Sequence, residues 1–111
     1  MQLDNSKVSR RAADFLANQG LVPRSPGAFI KGEPVLCAGA AFVHTAALMS
    51  DEFHYDEELA SKMILNGHEY ILTVAKELRL DVEHVKQMFT TNDCCPDDLR
   101  QETMVRRLRS A

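Results

Sequence analysis

Cysteine and histidine carry the most reactive side chains in this chain, and one of each falls in a single apolar stretch. Cys37 and His44 are seven positions apart within residues 36–49. Such a pair can make a thiolate nucleophile or part of a zinc site. Two helical turns put both on one face, but separate them by about 10 Å, too far for direct hydrogen bonding along one helix. The plainer reading is structural: a buried thiol and a hydrogen-bonded core histidine. Cys94 and Cys95 are adjacent, a poor arrangement for bridging each other. With His54, His68 or His84 they would build a metal site, but neither C-x2-C nor H-x3-H spacing occurs, so no metal or other cofactor is expected. The acidic cluster at 51–58 offers Asp51, Glu52 and Asp56 to a cation, without the central Gly and final Glu of an EF-hand loop. A solvated helix start, with acidic residues at its positive end, is the better account. Phosphate-binding glycine loops, the G-x-S-x-G elbow and H-E-x-x-H are absent. No catalytic residue is assigned, and a non-enzymatic role is favoured.

Residues 73–88 resemble a helix-turn-helix, with Ala75, Leu78, Leu80, Val85 and Met88 in its apolar places. Arg79 stands where the turn usually has Gly. The second helix would offer Glu83, His84, Lys86, Gln87, Thr90 and Thr91, and the nucleic-acid-contacting set would be Arg79, Lys86, Gln87 and Thr90. This surface lacks the basic footprint that phosphate binding requires, and a plain helical corner packs the same way.

The elements that would hold these residues are mostly helices. Asp4, Asn5 and Ser6 offer N-cap oxygens, the apolar phase runs from Val8 to Leu16, and Gly20 can close the helix: residues 5–19 form an amphipathic helix. Three of the four prolines and three of the five glycines fall in 20–35, which excludes a regular helix there. Within it, 28–31 and 35–37 around a turn at 32–34 suggest a short hairpin near 28–37. Residues 36–49 are apolar nearly all round, with His44 and Thr45 the clear exceptions, and should be the buried central helix. The pattern over 57–79 fits one kinked helix or two collinear ones, with Asn66-Gly67 at the break. Asp81 caps the next helix, which Thr90-Thr91-Asn92-Asp93 ends. Asn92-Asp93 forms an Asx-turn bonding the following helix, a structural role. Pro96 opens the last helix, and Arg106, Arg107 and Arg109 suit its negative end. The expected fold is mainly α: a compact bundle of about five helices, as one domain over 1–111, with one short hairpin.

The totals agree. The chain has 111 residues, 45% hydrophobic and 26% charged, with no Trp and a formal net charge of −3. A chain of this size buries a core without covalent staples. The acidic balance disfavours nucleic acid as partner. Three cysteines, one in an apolar run, suggest free thiols and a reducing compartment. No apolar leader or membrane-length run is present, so the cytoplasm is expected.

Two stretches together carry a resemblance. Ala12-Ala13 followed by Gly20, then Leu36-Cys37-Ala38-Gly39-Ala40, make one; Asn92-Asp93, Arg100 and Met104-Val105 with Leu108 make the other. This order resembles a family of short bacterial and phage proteins classed as a domain of unknown function, in which a Cys-Ala-x-Gly-Ala helix precedes a late Asn-Asp motif. Here the residue between Ala and Gly is missing, and Thr91 replaces an aromatic. The resemblance implies a fold without an activity. Function is therefore expected to be that of a protein-interaction or regulatory module, with self-association compatible. Helix-turn-helix DNA binding through 73–91 is the second reading, and a small enzyme using Cys37 or the 20–35 loop the third.

Overall fold

The structure, a computed structural model, describes residues 3–51 and 58–111. The acidic positions Glu52, Asp56 and Glu57, and His54, lie outside the described residues. The order of elements is α1 (Asn5–Gln19), β1 (Gly27–Ile30), β2 (Glu33–Leu36), α2 (Ala38–Met49), α3 (Leu59–Glu77), α4 (Val82–Cys94) and α5 (Arg100–Arg109). The bundle of five helices with one short hairpin is thus as the sequence predicts.

α1 begins because the Asp4 carboxylate takes the backbone N–H groups of Ser6 and Lys7, and ends because Gly20 turns left-handed, with φ 81°. Its apolar side, Val8, Ala12, Ala13 and Leu16, is fully buried. α2 is the hub: every residue from Ala38 to Ala47 is buried, and the helix touches α1, α3, α4 and β2. Its small residues allow that many neighbours to approach. An added Cβ at Gly39 would sit 2.5 Å from the Phe89 ring of α4. Burying the ring there takes hydrophobic surface out of water at a place no larger residue permits.

α3 consists of two helical stretches joined at Gly67, whose φ of 80° and ψ of −165° interrupt the helix. The two stretches thus meet across a kink at the break that the sequence marks, and glycine reaches such dihedrals without a side-chain clash. The corner to α4 turns on Arg79, with φ 62°. Leu80 N–H bonds back to the Ala75 carbonyl there, so Arg79 occupies the conformation that glycine usually supplies. Asp81 then caps α4 as expected, accepting from Glu83 and His84. α5 lies chiefly on α1, and the Ser9 hydroxyl donates to the Leu108 carbonyl at 2.8 Å between them.

Three boundaries differ from the sequence reading. The hairpin turn is Lys31-Gly32, one residue earlier than expected, and Glu33 and Pro34 belong to β2. Both turn residues have positive φ, 52° and 80°, the signature of the type I′ turn that matches strand twist. α4 does not stop at Thr90 but runs through Cys94, so Asn92 and Asp93 are helical and make no Asx-turn. α5 starts at Arg100, after a turn in which Leu99 N–H bonds the Pro96 carbonyl.

Candidate functional site

The polar groups buried most deeply meet where α4, α5 and the loop before the hairpin converge. Asn92 is 0% exposed, because it continues the buried stripe of Val85, Met88 and Phe89 on α4. Its Oδ1 accepts from Ala38 N–H at 3.0 Å, satisfying one of the donors orphaned at the start of α2. Its Nδ2 donates to the Pro23 carbonyl at 2.9 Å and to the Asp93 carboxylate at 3.1 Å. Asp93 in turn accepts from the Ser25 backbone N–H at 2.7 Å and from the Ser25 hydroxyl at 3.1 Å. Arg100 is 3% exposed. Its Nε donates to the Asn92 carbonyl at 2.8 Å, Nη1 to the Val22 carbonyl at 3.2 Å, and Nη2 to the Cys95 carbonyl at 3.0 Å. Nη2 also meets the Asp97 carboxylate at 2.6 Å. Burial alone would raise the Asp93 pKa. The Ser25 and Asn92 hydrogen bonds and the nearby His68 outweigh it and hold the carboxyl below its ordinary 3.8.

Cys37 borders this cluster as the N-cap of α2, its Sγ accepting from Ala40 N–H at 3.3 Å. Burial pushes its thiol up to about 11, against the pull of the Ala40, Ser25 and Gly39 hydrogen bonds and with a further push from Asp93. The fully buried sulfur therefore remains a thiol at neutral pH, whereas nucleophilic cysteines need the thiolate. His44 lies deeper along α2 with its ring 5.2 Å from that of Phe15. Burial lowers its pKa, which favours the neutral ring. The two residues serve different contacts, cap and core, and form no couple.

The nucleic-acid set predicted from sequence is spread over the α3–α4 corner. Arg79, Lys86, Gln87 and Thr90 are all exposed. Lys86 Nζ lies 3.4 Å from the Glu83 carboxylate, which cancels its charge locally. A cleft of about 180 Å³ brings Gln87 and Thr91 to Arg107 of α5, so a single closing arginine joins that surface. Among the described residues no three His, Cys, Asp or Glu side chains gather where they could hold a metal ion. No described helix is long and apolar enough to cross a membrane.

The hairpin offers a different kind of site. Its register pairs Ile30 with Glu33, Phe29 with Pro34, Ala28 with Val35 and Gly27 with Leu36. A two-residue turn makes the closing pair hydrogen-bonded, and the pairs then alternate. The backbone groups of Gly27, Phe29, Pro34 and Leu36 accordingly point outward, away from the partner strand. On the β2 side only the Pro34 carbonyl is left without a hydrogen bond among the described residues. Gln19 takes both at Leu36, accepting from its N–H at 3.1 Å and donating to its carbonyl at 2.7 Å. Pro34 has no N–H to offer. On the β1 side, no hydrogen bond among the described residues reaches the outward groups of Gly27 and Phe29. Phe29 is also 43% exposed, on the sheet face it shares with buried Leu36.

Of the residues that matter here, sequence reasoning named Asn92, Asp93 and Cys37 but not the partners Ser25, Gln19 and Arg100 as a set. A signal existed for two of them. Asn92 lies in phase with Val85 and Phe89, and Arg100 with Met104 and Leu108. A polar residue on an apolar stripe must find buried partners. Ser25 and Gln19 carry no such mark. Comparison of the chain with protein-family models, curated proteins and solved structures found no match.

Proposed function

We propose that this chain is a protein-interaction module that takes up an extended segment of a partner along the outer edge of β1. The reading is carried by one observation: the two edges of the hairpin are treated differently. Open strand edges template pairing with other chains, and proteins usually blunt them. Here the β2 edge is blunted by Gln19 and Pro34, while the β1 edge keeps two N–H and two carbonyl groups with no hydrogen-bond partner among the described residues, beside an exposed Phe29. Strand addition at such an edge draws affinity from main-chain hydrogen bonds and selectivity from alternate side chains. The buried cluster around Asn92 and Arg100 supports this reading indirectly, since it fixes the loop that leads into β1.

A selection from a random peptide library tests the proposal. Selected peptides should bind the parent chain, perturb the amide resonances of Gly27 and Phe29, and lose binding to Phe29→Pro. Proline at 29 removes an outward donor and leaves the β1–β2 ladder intact, as Pro34 does directly opposite. Peptides that bind Phe29→Pro as well as the parent, with that variant folded by circular dichroism, would overturn it.

A further inference from the structure

We infer that the segment received by the β1 edge belongs to a different protein and carries acidic residues on both sides of an apolar middle. This rests on the edge reading above. The first part follows from register and charge together. Two copies of β1 paired antiparallel about Ala28 would set Gly27 of each opposite Phe29 of the other and bond all their outward groups. The same register brings Lys31 of each copy toward Arg24 of the other, and like charges brought together across strands destabilise the pair. A foreign strand can use the same outward groups without that repulsion.

The second part follows from charge. Residues 15–32 contain Arg24 and Lys31 and no Asp or Glu, so the edge has a cation beyond each end and no anion along it. Both are exposed. Arg24 Nε is 4.0 Å from Asp97, but that carboxylate is already held at 2.6 Å by Arg100. Of the carboxylates close to its ends, Asp93 is bonded by Ser25 and Asn92, and Glu33 is on the opposite strand. Cations at both ends favour acidic flanks whichever way the incoming strand runs. Its middle residue meets Phe29, where an aromatic or β-branched side chain packs best across strands.

Three short peptides with the same alternating valine–threonine middle, flanked by glutamates, lysines or serines, distinguish the possibilities by fluorescence anisotropy. The glutamate peptide should bind about tenfold tighter than the lysine peptide at low salt, as two exposed ion pairs allow. The gap should close at high salt. Lys31→Asn, which suits the left-handed turn, should narrow it. Equal binding of all three, abolished by Phe29→Pro, would overturn the acidic-partner inference and leave the edge reading standing. No binding by any peptide would overturn both. A dimer in solution that Phe29→Pro dissociates would identify a second copy as the occupant and overturn the inference of a foreign partner.

Discussion

The stretch between α1 and α2 is held in two opposite ways. Its first half, residues 22–26, forms no regular structure, yet side chains from α4 and α5 reach across to fix it at Val22, Pro23 and Ser25. Its second half, the hairpin, is regular but, among the described residues, has side-chain help only at Leu36, from Gln19. An irregular loop cannot satisfy its own backbone groups, so the fold recruits buried Asn92 and Arg100 to do it. A hairpin satisfies half of its groups by itself and presents the rest at its edges. Among the described residues, one edge is then largely closed and the other left available. The contrast separates a fastened base from an open rim, and it places any binding at the rim.

The largest way to break the comparison is at the base. Asn92→Ala should destabilise the protein by about 3 kcal/mol in denaturant unfolding, because it strands the buried Ala38 N–H and the part-buried Pro23 carbonyl. A loss no larger than that of an exposed substitution would remove the base from the account. A smaller effect is expected at Asp93, whose folded-state pKa lies below its ordinary 3.8. A depressed pKa means that the carboxylate's contribution is fully present above the unfolded value and lost as pH falls through the folded one. Asp93→Asn should therefore trail the parent by a constant amount near neutrality, and the gap should shrink at acid pH, below the unfolded value. A gap that widens on acidification would show that the charge is not what Ser25 recognises. The smallest effect belongs to the hairpin: Gln19→Ala should cost about 1 kcal/mol and speed hydrogen exchange at Leu36 N–H while leaving Ala38 N–H protected. Equal acceleration at both amides would mean that base and rim open together.

Much of this fold is legible along the chain. Asp4 and Gly20 mark the ends of α1, the apolar run marks α2, and Asp81 marks the start of α4. Each of these rests on interactions within a few residues or on a burial pattern that repeats along one helix. The errors have a common origin. Thr90-Thr91-Asn92-Asp93 has the composition of a helix end, but the Asn92 and Asp93 side chains are spent on Ala38, Pro23 and Ser25 instead of on local backbone. That frees α4 to continue to Cys94. Pro96 suits a first helical turn, yet α5 waits until Arg100, the residue whose guanidinium folds back on Asn92, Cys95 and Asp97.

The candidate interface lay further from view. Residues 28–37 read as a hairpin, but nothing in Gln19 announces that its amide will cap a strand 17 positions away. By itself the sequence determined the helices, the central position of residues 38–47, and the presence of a hairpin, because periodicity and capping act over a few residues. Only the tertiary structure decided which polar side chains are buried fasteners and which strand edge stays open. Those outcomes depend on pairs far apart in the chain, and a hydrogen bond leaves no trace in sequence spacing until the fold brings donor and acceptor together.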